Sequence, residues 1–281
     1  MSAVEEIEPR DALAEARAVR GGDDDDDDVR VLEPAPPAVG EPPWFADDPT
    51  DGRPLDWSTQ NAVAGSWREE RWLGPFARLG PLPEGFAATR LALHRLAERT
   101  ISPARAAVNG RIGLRWTLGG FGTPFFGADE QLRVERGALV HQRAARATRT
   151  APAEDVDAAC ASALGEFYGF ATSVLEALRA ANPGAEPSRV QLWPEHFDIA
   201  VEIGAELEER RAGYGASPGD EHHPQPYLYV LPWGETPSSP RWQADGFTGA
   251  ELGYEELISA ADQRALALDF FASRLAELLA R

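Results

Sequence analysis

The residues best suited to chemistry lie in two neighbouring segments of the last third of the sequence. The first segment, "LWPEHFDIAVEIG", carries His196 and Asp198 two positions apart. Side chains alternate between faces along a β-strand, so the sequence predicts that both residues project from one face, opposite Phe197 and Ile199. The second segment, "YGASPGDEHHPQPYLYV", is residues 214–230. If its strand pairs with the first segment, the two segments form one polar surface.

Imidazole and carboxylate groups in these segments are the ligands that zinc, iron and manganese take in proteins. This chemistry defines a candidate site for a divalent metal such as zinc. The candidate ligands are His196, Asp198, Glu221, His222 and His223. The sequence has neither an HExxH motif nor a helical pair of histidines at i and i+4. A hydrogen-bonded polar strand face beside an exposed acidic loop therefore remains an alternative interpretation.

Aromatic residues near the same segments favour a groove for a small ligand, because Tyr and Trp combine an apolar ring with a polar tip. The glycine-rich run "GGFGTPFFG", residues 119–127, is predicted to be a turn that forms one wall of this groove. It lacks the Lys-Ser/Thr of a phosphate-binding loop. Core packing is the alternative for each aromatic residue. The candidate ligand-binding residues are Trp193, His196, Asp198, Tyr214, Tyr227 and Phe121.

Composition narrows the classes of partner. The chain has 281 residues and a net charge of −19, and its 27 basic residues are all arginine. An acidic surface repels phosphate backbones and anionic lipids, so we expect neither nucleic acid nor a membrane as a partner. The single cysteine, Cys160, excludes an intramolecular disulfide and a cysteine-based zinc cage. The N-terminus is charged and lacks the apolar run of a signal peptide, which predicts a cytoplasmic protein.

The hydrophobic pattern predicts an α+β fold with a largely antiparallel sheet and long helices packed on it. Residues 1–42 are predicted to be a disordered acidic tail, because they combine a run of six aspartates with many prolines. Residues 43–281 are predicted to form a single domain. Strands followed by a helix occur twice, which suggests two related ββα-like halves at about 85–183 and 184–281.

Individual elements are predicted as follows. Helices are expected at about 86–99, where Pro103 ends the first one, at 153–181 and at 254–280. Residues 130–144 read as a hairpin with a turn at Arg136–Gly137. The first polar segment reads as one strand with a bulge at Pro194, and residues 214–225 and 235–253 read as loops. The helical residues expected to be buried are Phe167, Phe170, Leu175, Phe271 and Leu275.

Three stretches of the sequence resemble a family of uncharacterised actinobacterial proteins. They are "GRIGLRWTLGGFGTPFFG", "VQLWPEHFDIAVEIG" and "YGASPGDEHHPQPYLYVLPWG", and the resemblance extends over most of the chain after about residue 80. It implies a bacterial, cytosolic protein. It implies no reaction and assigns no catalytic residue.

Three functions are compatible with these residues. The leading one is a small-ligand binding protein whose groove lies between the strand face of His196 and Asp198, the 214–225 loop and the "GGFGTPFFG" turn. The second is a metal-dependent enzyme that uses the His/Asp/Glu set. The third is a protein-interaction module that uses the acidic tail or exposed aromatic residues.

Overall fold

The computed structural model describes residues 78–127, 130–143, 146–152, 155–205 and 210–280. Within these ranges the chain forms two compact units, one of residues 82–166 and the other of residues 78–81 and 167–280. Each unit contains an antiparallel five-stranded sheet, so the predicted α+β class is confirmed. The predicted acidic tail lies outside the described residues. The described helices include none that is both long and apolar enough to cross a membrane.

The first unit begins with a helical stretch that passes through its proline. Helix α1 is Phe86–Leu96, a π-helical turn follows at Ala97–Ile101, and helix α2 is Ser102–Asn109. The prediction that Pro103 ends the helix is wrong. Pro103 lies in the first turn of α2, where a missing backbone N–H needs no replacement partner, and the π-helical turn absorbs the change of hydrogen-bond spacing.

The sheet of the first unit is a meander in which each strand pairs with the next one along the chain. The predicted hairpin is confirmed: its two central residues, Arg136 and Gly137, have φ angles of 52° and 85°, as a type I′ turn requires. The run "GGFGTPFFG" contains a strand, because Gly120–Gly122 pairs with both neighbouring strands, so its prediction as a turn is wrong. The strands are β1 Arg115–Thr117, β2 Gly120–Gly122, β3 Glu130–Glu135, β4 Ala138–Arg143 and β5 Arg146–Thr150.

The longest helix, α3, is Ala158–Ala181 and begins five residues later than the sequence predicts. Its start is set by Asp157, whose Oδ1 accepts a hydrogen bond of 2.9 Å from the backbone N–H of Cys160. A side-chain cap of this kind satisfies one of the unpaired N–H groups of the first turn. Burial of the predicted helical residues is confirmed for Phe167, Phe170 and Leu175.

The second unit repeats the meander and then ends in helices. Its strands and helices are β6 Gln191–Trp193, β7 Asp198–Ile203, β8 Ala212–Ser217, β9 Tyr227–Pro232, β10 Ala250–Gly253, α4 Tyr254–Ser259 and α5 Gln263–Leu279. Strands β8 and β10 occupy segments that were predicted to be loops. The predicted final helix is interrupted at residues 260–262, where Asp262 caps α5 by accepting a hydrogen bond from the N–H of Ala265.

One face of the second sheet is the core of this unit. The buried side chains on that face are Ile199, Val201, Ile203, Tyr214, Ala216, Leu228, Val230 and Leu252. Helix α5 packs here, with the ring of Phe271 at 6.1 Å from the ring of Tyr214 in an edge-to-face arrangement. Phe271 and Leu275 are buried, as predicted. The opposite face of the same sheet is therefore free to carry polar groups.

Candidate functional site

The first polar segment forms a hairpin, and this changes the predicted position of His196. Trp193 of β6 pairs with Asp198 of β7, so the four residues between them form a turn. Phe197 has a φ of 55°, its side chain is buried, and its carbonyl accepts a hydrogen bond from the hydroxyl of Tyr168. His196 lies exposed in the turn. The prediction that His196 and Asp198 share a strand face is wrong, because Pro194 starts a turn where a bulge was expected.

We call the face of the second sheet that lies opposite its core the polar face. Strand alternation and the register of β6 to β10 define its residues. They are Gln191, Trp193, Asp198, Ala200, Glu202, Gly213, Gly215, Ser217, Tyr227, Tyr229, Leu231, Glu251 and Gly253. Small residues occupy its middle and aromatic residues follow β9, so the surface is polar and aromatic.

The centre of the polar face is a hydrogen bond that spans three strands. The hydroxyl of Tyr229 on β9 donates to Oδ2 of Asp198 on β7. Between them lies Gly215 of β8, which pairs directly with Tyr229. A Cβ atom added at Gly215 would overlap the tyrosine ring, so the absence of a side chain lets the ring lie across β8. Gly215 therefore allows Tyr229 to reach Asp198.

The second oxygen of Asp198 is buried and has no hydrogen-bond partner within the described part of the chain. The residue is only 8% exposed. Burial raises the pKa of Asp198 above its ordinary value, although the hydrogen bond from Tyr229 and the nearby His196 act in the opposite direction. A buried polar atom without a partner is uncommon in folded proteins and is costly. Oδ1 of Asp198 is thus a buried acceptor that no group in the described part of the chain satisfies.

Replacing Asp198 with asparagine should change how stability depends on pH. Asparagine can still accept from Tyr229 but has no ionisable group. Because the folded-state pKa of Asp198 is raised, the native state binds more protons than the unfolded state, and the contribution of Asp198 to stability falls as pH rises through that pKa. The groups that act on this carboxyl are Tyr229, His196, Glu195 and Tyr227.

We therefore expect the wild type to gain free energy of unfolding relative to Asp198→Asn as the pH is lowered from 7 towards 4. Urea unfolding of both proteins across this range measures the difference. Asp269→Asn is the control, since Asp269 is an exposed carboxyl group on α5. A difference that stays constant, or that grows as the pH is raised, would show that burial does not raise the pKa of Asp198.

A second polar cluster borders the aromatic part of the polar face. Asp220 accepts hydrogen bonds of 2.7 and 2.8 Å from the backbone N–H groups of His222 and His223, and one of 2.9 Å from the hydroxyl of Tyr227. Burial raises the pKa of Asp220, but these hydrogen bonds outweigh it, so the pKa is lowered. Asp220 is therefore an ionised carboxylate that fixes the turn of its loop against Tyr227.

The ring of His223 lies between two carboxylates. Its Nδ1 is 3.4 Å from Oδ1 of Asp220, and its Nε2 is 3.3 Å from Oε2 of Glu251. The ring also packs on Tyr227, with ring centroids 4.5 Å apart. These contacts connect the loop after β8 to strand β10 at the edge of the polar face.

The proposed metal ligands are distributed differently from the prediction. His196, Glu221 and His222 are exposed, Asp198 is buried beneath Tyr229, and His223 lies between Asp220 and Glu251. Among the described residues, no group of three or more His, Cys, Asp or Glu side chains is arranged to hold a metal ion. In the described part of the chain, the five candidate ligands therefore do not form one group around a common point.

The predicted ligand-binding aromatic residues have distinct positions. Trp193 and Tyr227 lie on the polar face. Tyr214 is on the core face of the sheet and is fully buried against Phe271. Phe121 is a buried core residue of the first unit. Tyr214 and Phe121 therefore do not line the polar face.

Several residues of the site were not among the predicted candidates. The most important is Tyr229, and the alternation in "YLYV" places it on the same face as Tyr227. Glu251 was missed because β10 was not predicted. Phe247 lies in a connection, yet its ring centroid is 6.4 Å from those of both Tyr227 and Tyr229. These rings form an aromatic cluster beside the Asp198 carboxyl group.

The first unit contains a buried acidic residue that provides a contrast. Both carboxylate oxygens of Glu130 are used, since His141 Nε2 is 3.1 Å from Oε2 and Arg143 Nε is 2.7 Å from Oε1. Burial raises the pKa of Glu130, but these two partners outweigh it and the pKa is lowered. Glu130 is satisfied within its own unit, whereas Asp198 is not.

Comparison of the sequence with protein-family models and with curated proteins, and of the chain with solved structures, found no match. The fold and the site define the chain as an α+β protein in which one sheet carries a polar and aromatic face.

Proposed function

We propose that the chain binds a small organic ligand on the polar face of its second sheet. The observation that supports this most strongly is the buried Oδ1 of Asp198, which lacks a hydrogen-bond partner among the described residues. Burying a carboxyl oxygen that accepts no hydrogen bond costs desolvation free energy. A ligand that donates to Oδ1 would offset this cost. The contrast with the fully paired Glu130 supports a specific role for Asp198.

The surroundings of Asp198 suit a small molecule. Tyr227, Tyr229 and Phe247 provide ring surfaces with centroid separations of 6.2 to 6.4 Å. Apolar ring surfaces with a few fixed polar groups are the usual lining of a ligand site.

The fixed positions of these side chains favour binding. The ring of Tyr229 is held across β8 by its hydrogen bond to Asp198, and Tyr227 is held by Asp220. Burial raises the pKa of both tyrosines, so both hydroxyls remain neutral donors at physiological pH. A site that is ordered before binding loses less conformational entropy when the ligand arrives.

A thermal-shift screen of small amines, alcohols, carboxylic acids and sugars tests this proposal. A ligand at about 100 times its Kd adds about 2.7 kcal/mol of stability, which corresponds to a rise of several degrees in Tm. We expect at least one compound to raise the Tm of the wild type and of His196→Ala, but not that of Asp198→Asn. Compounds that stabilise all three proteins equally, or a screen without any stabilising compound, would overturn the proposal.

The protein-interaction alternative is supported by a different part of the same face. Leu231 of β9 and Trp233, which follows the end of that strand, are 43% and 52% exposed. The guanidinium of Arg211 lies 5.3 Å from the centroid of the Trp233 ring and pairs with Glu202. Single exposed apolar residues are common on protein surfaces, so these two side chains support an interface less strongly than Asp198 supports a ligand site.

A further inference from the structure

We propose that the ligand of the polar face is an organic cation that carries an N–H donor, such as a primary ammonium or an amidinium, with its charged group against Oδ1 of Asp198. This inference rests on the proposed function, since it names the chemical class of the ligand for the same site. Three features of the polar face support it: the missing countercharge, the acidic surroundings and the aromatic rings.

The first feature is the missing countercharge of Asp198. Tyr229 gives Oδ2 a neutral donor, and Oδ1 has no donor among the described residues. No described arginine forms an ion pair with Asp198, whereas Glu130 has Arg143 and Glu202 has Arg211. A neutral ligand would supply a hydrogen bond alone. A cation would supply both the hydrogen bond and the countercharge, and charge-assisted hydrogen bonds are the stronger ones.

The second feature is the charge of the surroundings. Glu251 borders the face, and its Oε2 lies 3.3 Å from Nε2 of His223. Asp220 is ionised beside Tyr227. The whole chain carries −19. A carboxylate or phosphate ligand would meet like charges here, while a cation would be attracted both at long range and on contact.

The third feature is the set of aromatic rings next to the carboxyl group. Ring faces attract cations through their quadrupole, and this attraction strengthens when the cation is desolvated. Tyr227, Tyr229 and Phe247 form such a cluster. The inference therefore favours an ammonium or amidinium that also carries an apolar group, because the rings can cover the apolar part.

A cation and a neutral ligand differ in their expected pH dependence. A cation binds the ionised form of Asp198, whose pKa burial raises, so binding releases a proton from that carboxyl. The titratable groups that act on Asp198 are Tyr229, Tyr227, His196 and Glu195. Affinity for a cation should therefore rise as the pH is raised through the pKa of Asp198. Affinity for a neutral donor should rise less, because such a ligand gains a better hydrogen-bond acceptor but no ion pair.

Isothermal titration with three probes of matched shape tests the inference: benzylammonium, benzyl alcohol and benzoate. We expect benzylammonium to bind the full chain most tightly and to lose about tenfold or more of its affinity in Asp198→Asn, the loss typical of a charged hydrogen bond. His196→Ala should retain the affinity. In the wild-type protein, the affinity for benzylammonium should increase between pH 4 and pH 7. This measurement does not depend on whether a variant folds.

The other outcomes separate the two proposals. If benzyl alcohol or benzoate binds as tightly as benzylammonium and is lost in Asp198→Asn, the cation inference is overturned and the proposed function stands. If benzylammonium binds Asp198→Asn as well as it binds the wild type, or binds neither protein, the cation inference is also overturned. The thermal-shift screen then decides whether the polar face binds any small molecule.

Discussion

Replacing Phe271 with alanine should lower the free energy of unfolding by about 3 to 5 kcal/mol, as truncation of a fully buried phenylalanine does. Phe271 lies on α5 and is 0% exposed. Its ring packs against Tyr214 of β8 at 6.1 Å and against Phe270 at 5.2 Å. The substitution leaves a cavity between the helix and the core face of the sheet, and close-packed neighbours can fill it only in part.

Urea unfolding of the purified chain measures this effect, with Asp269→Ala as the control on the same helix. Asp269 is exposed, so its replacement should change the free energy of unfolding by less than about 0.5 kcal/mol. Phe170→Ala, at a buried position of α3, should resemble Phe271→Ala. A loss below about 1 kcal/mol in Phe271→Ala would mean that α5 does not cover the sheet as described.

Replacing Gly215 with alanine should disrupt the centre of the polar face. The added Cβ would overlap the ring of Tyr229, so the ring must move away from β8 and release Asp198. We expect a loss of about 1 to 3 kcal/mol in the free energy of unfolding, the usual range for an overpacked site. The carboxyl group of Asp198 would then lose the hydrogen bond from Tyr229 as well.

Gly213→Ala is the matched control for this substitution. Gly213 lies on the same strand and the same face, two residues before Gly215, but an added Cβ there has its nearest neighbour at 4.0 Å. We expect Gly213→Ala to leave stability unchanged or to raise it by up to about 1 kcal/mol, through the lower entropy of the unfolded chain. Equal destabilisation by both substitutions would contradict the described position of Tyr229.

Hydrophobic periodicity was sufficient to predict the class of the fold and much of its core. The apolar stripe of α3 identified Phe167 and Phe170 as buried, and β-branched and apolar alternation identified β7. These signals are local and repeat over many residues. The two-residue turn at Arg136–Gly137 was also predicted correctly, because its chemistry depends on the turn residues themselves.

Elements with weak β propensity were missed. Strand β8, "AGYGAS", and strand β2, "GFG", are rich in glycine, and they are strands because the neighbouring strands pair with them on both sides. Tertiary pairing overrides intrinsic preference in such cases. The effect of Pro103 was also predicted wrongly. A proline disrupts the interior of a helix but is tolerated in the first turn, where Pro103 lies.

The candidate site was predicted only in part. Asp198 and Tyr227 lie on the polar face, and each belongs to a strand that the sequence pattern indicates. His196 was misplaced by the hairpin turn. The contact between Asp198 and Tyr229 joins residues 31 positions apart across a third strand. It depends on the register of three strands and on the absence of a side chain at Gly215, which no local pattern reveals.

The central claim is that a ligand binds the polar face at the carboxyl group of Asp198. The probe is the one of benzylammonium, benzyl alcohol and benzoate that binds the wild type most tightly. The most direct test of the claim is the Kd of that probe for Gly213→Ala and for Gly215→Ala. We predict that Gly213→Ala keeps the wild-type Kd within about twofold and that Gly215→Ala weakens binding about tenfold or more. Equal Kd values for the two variants would contradict the claim.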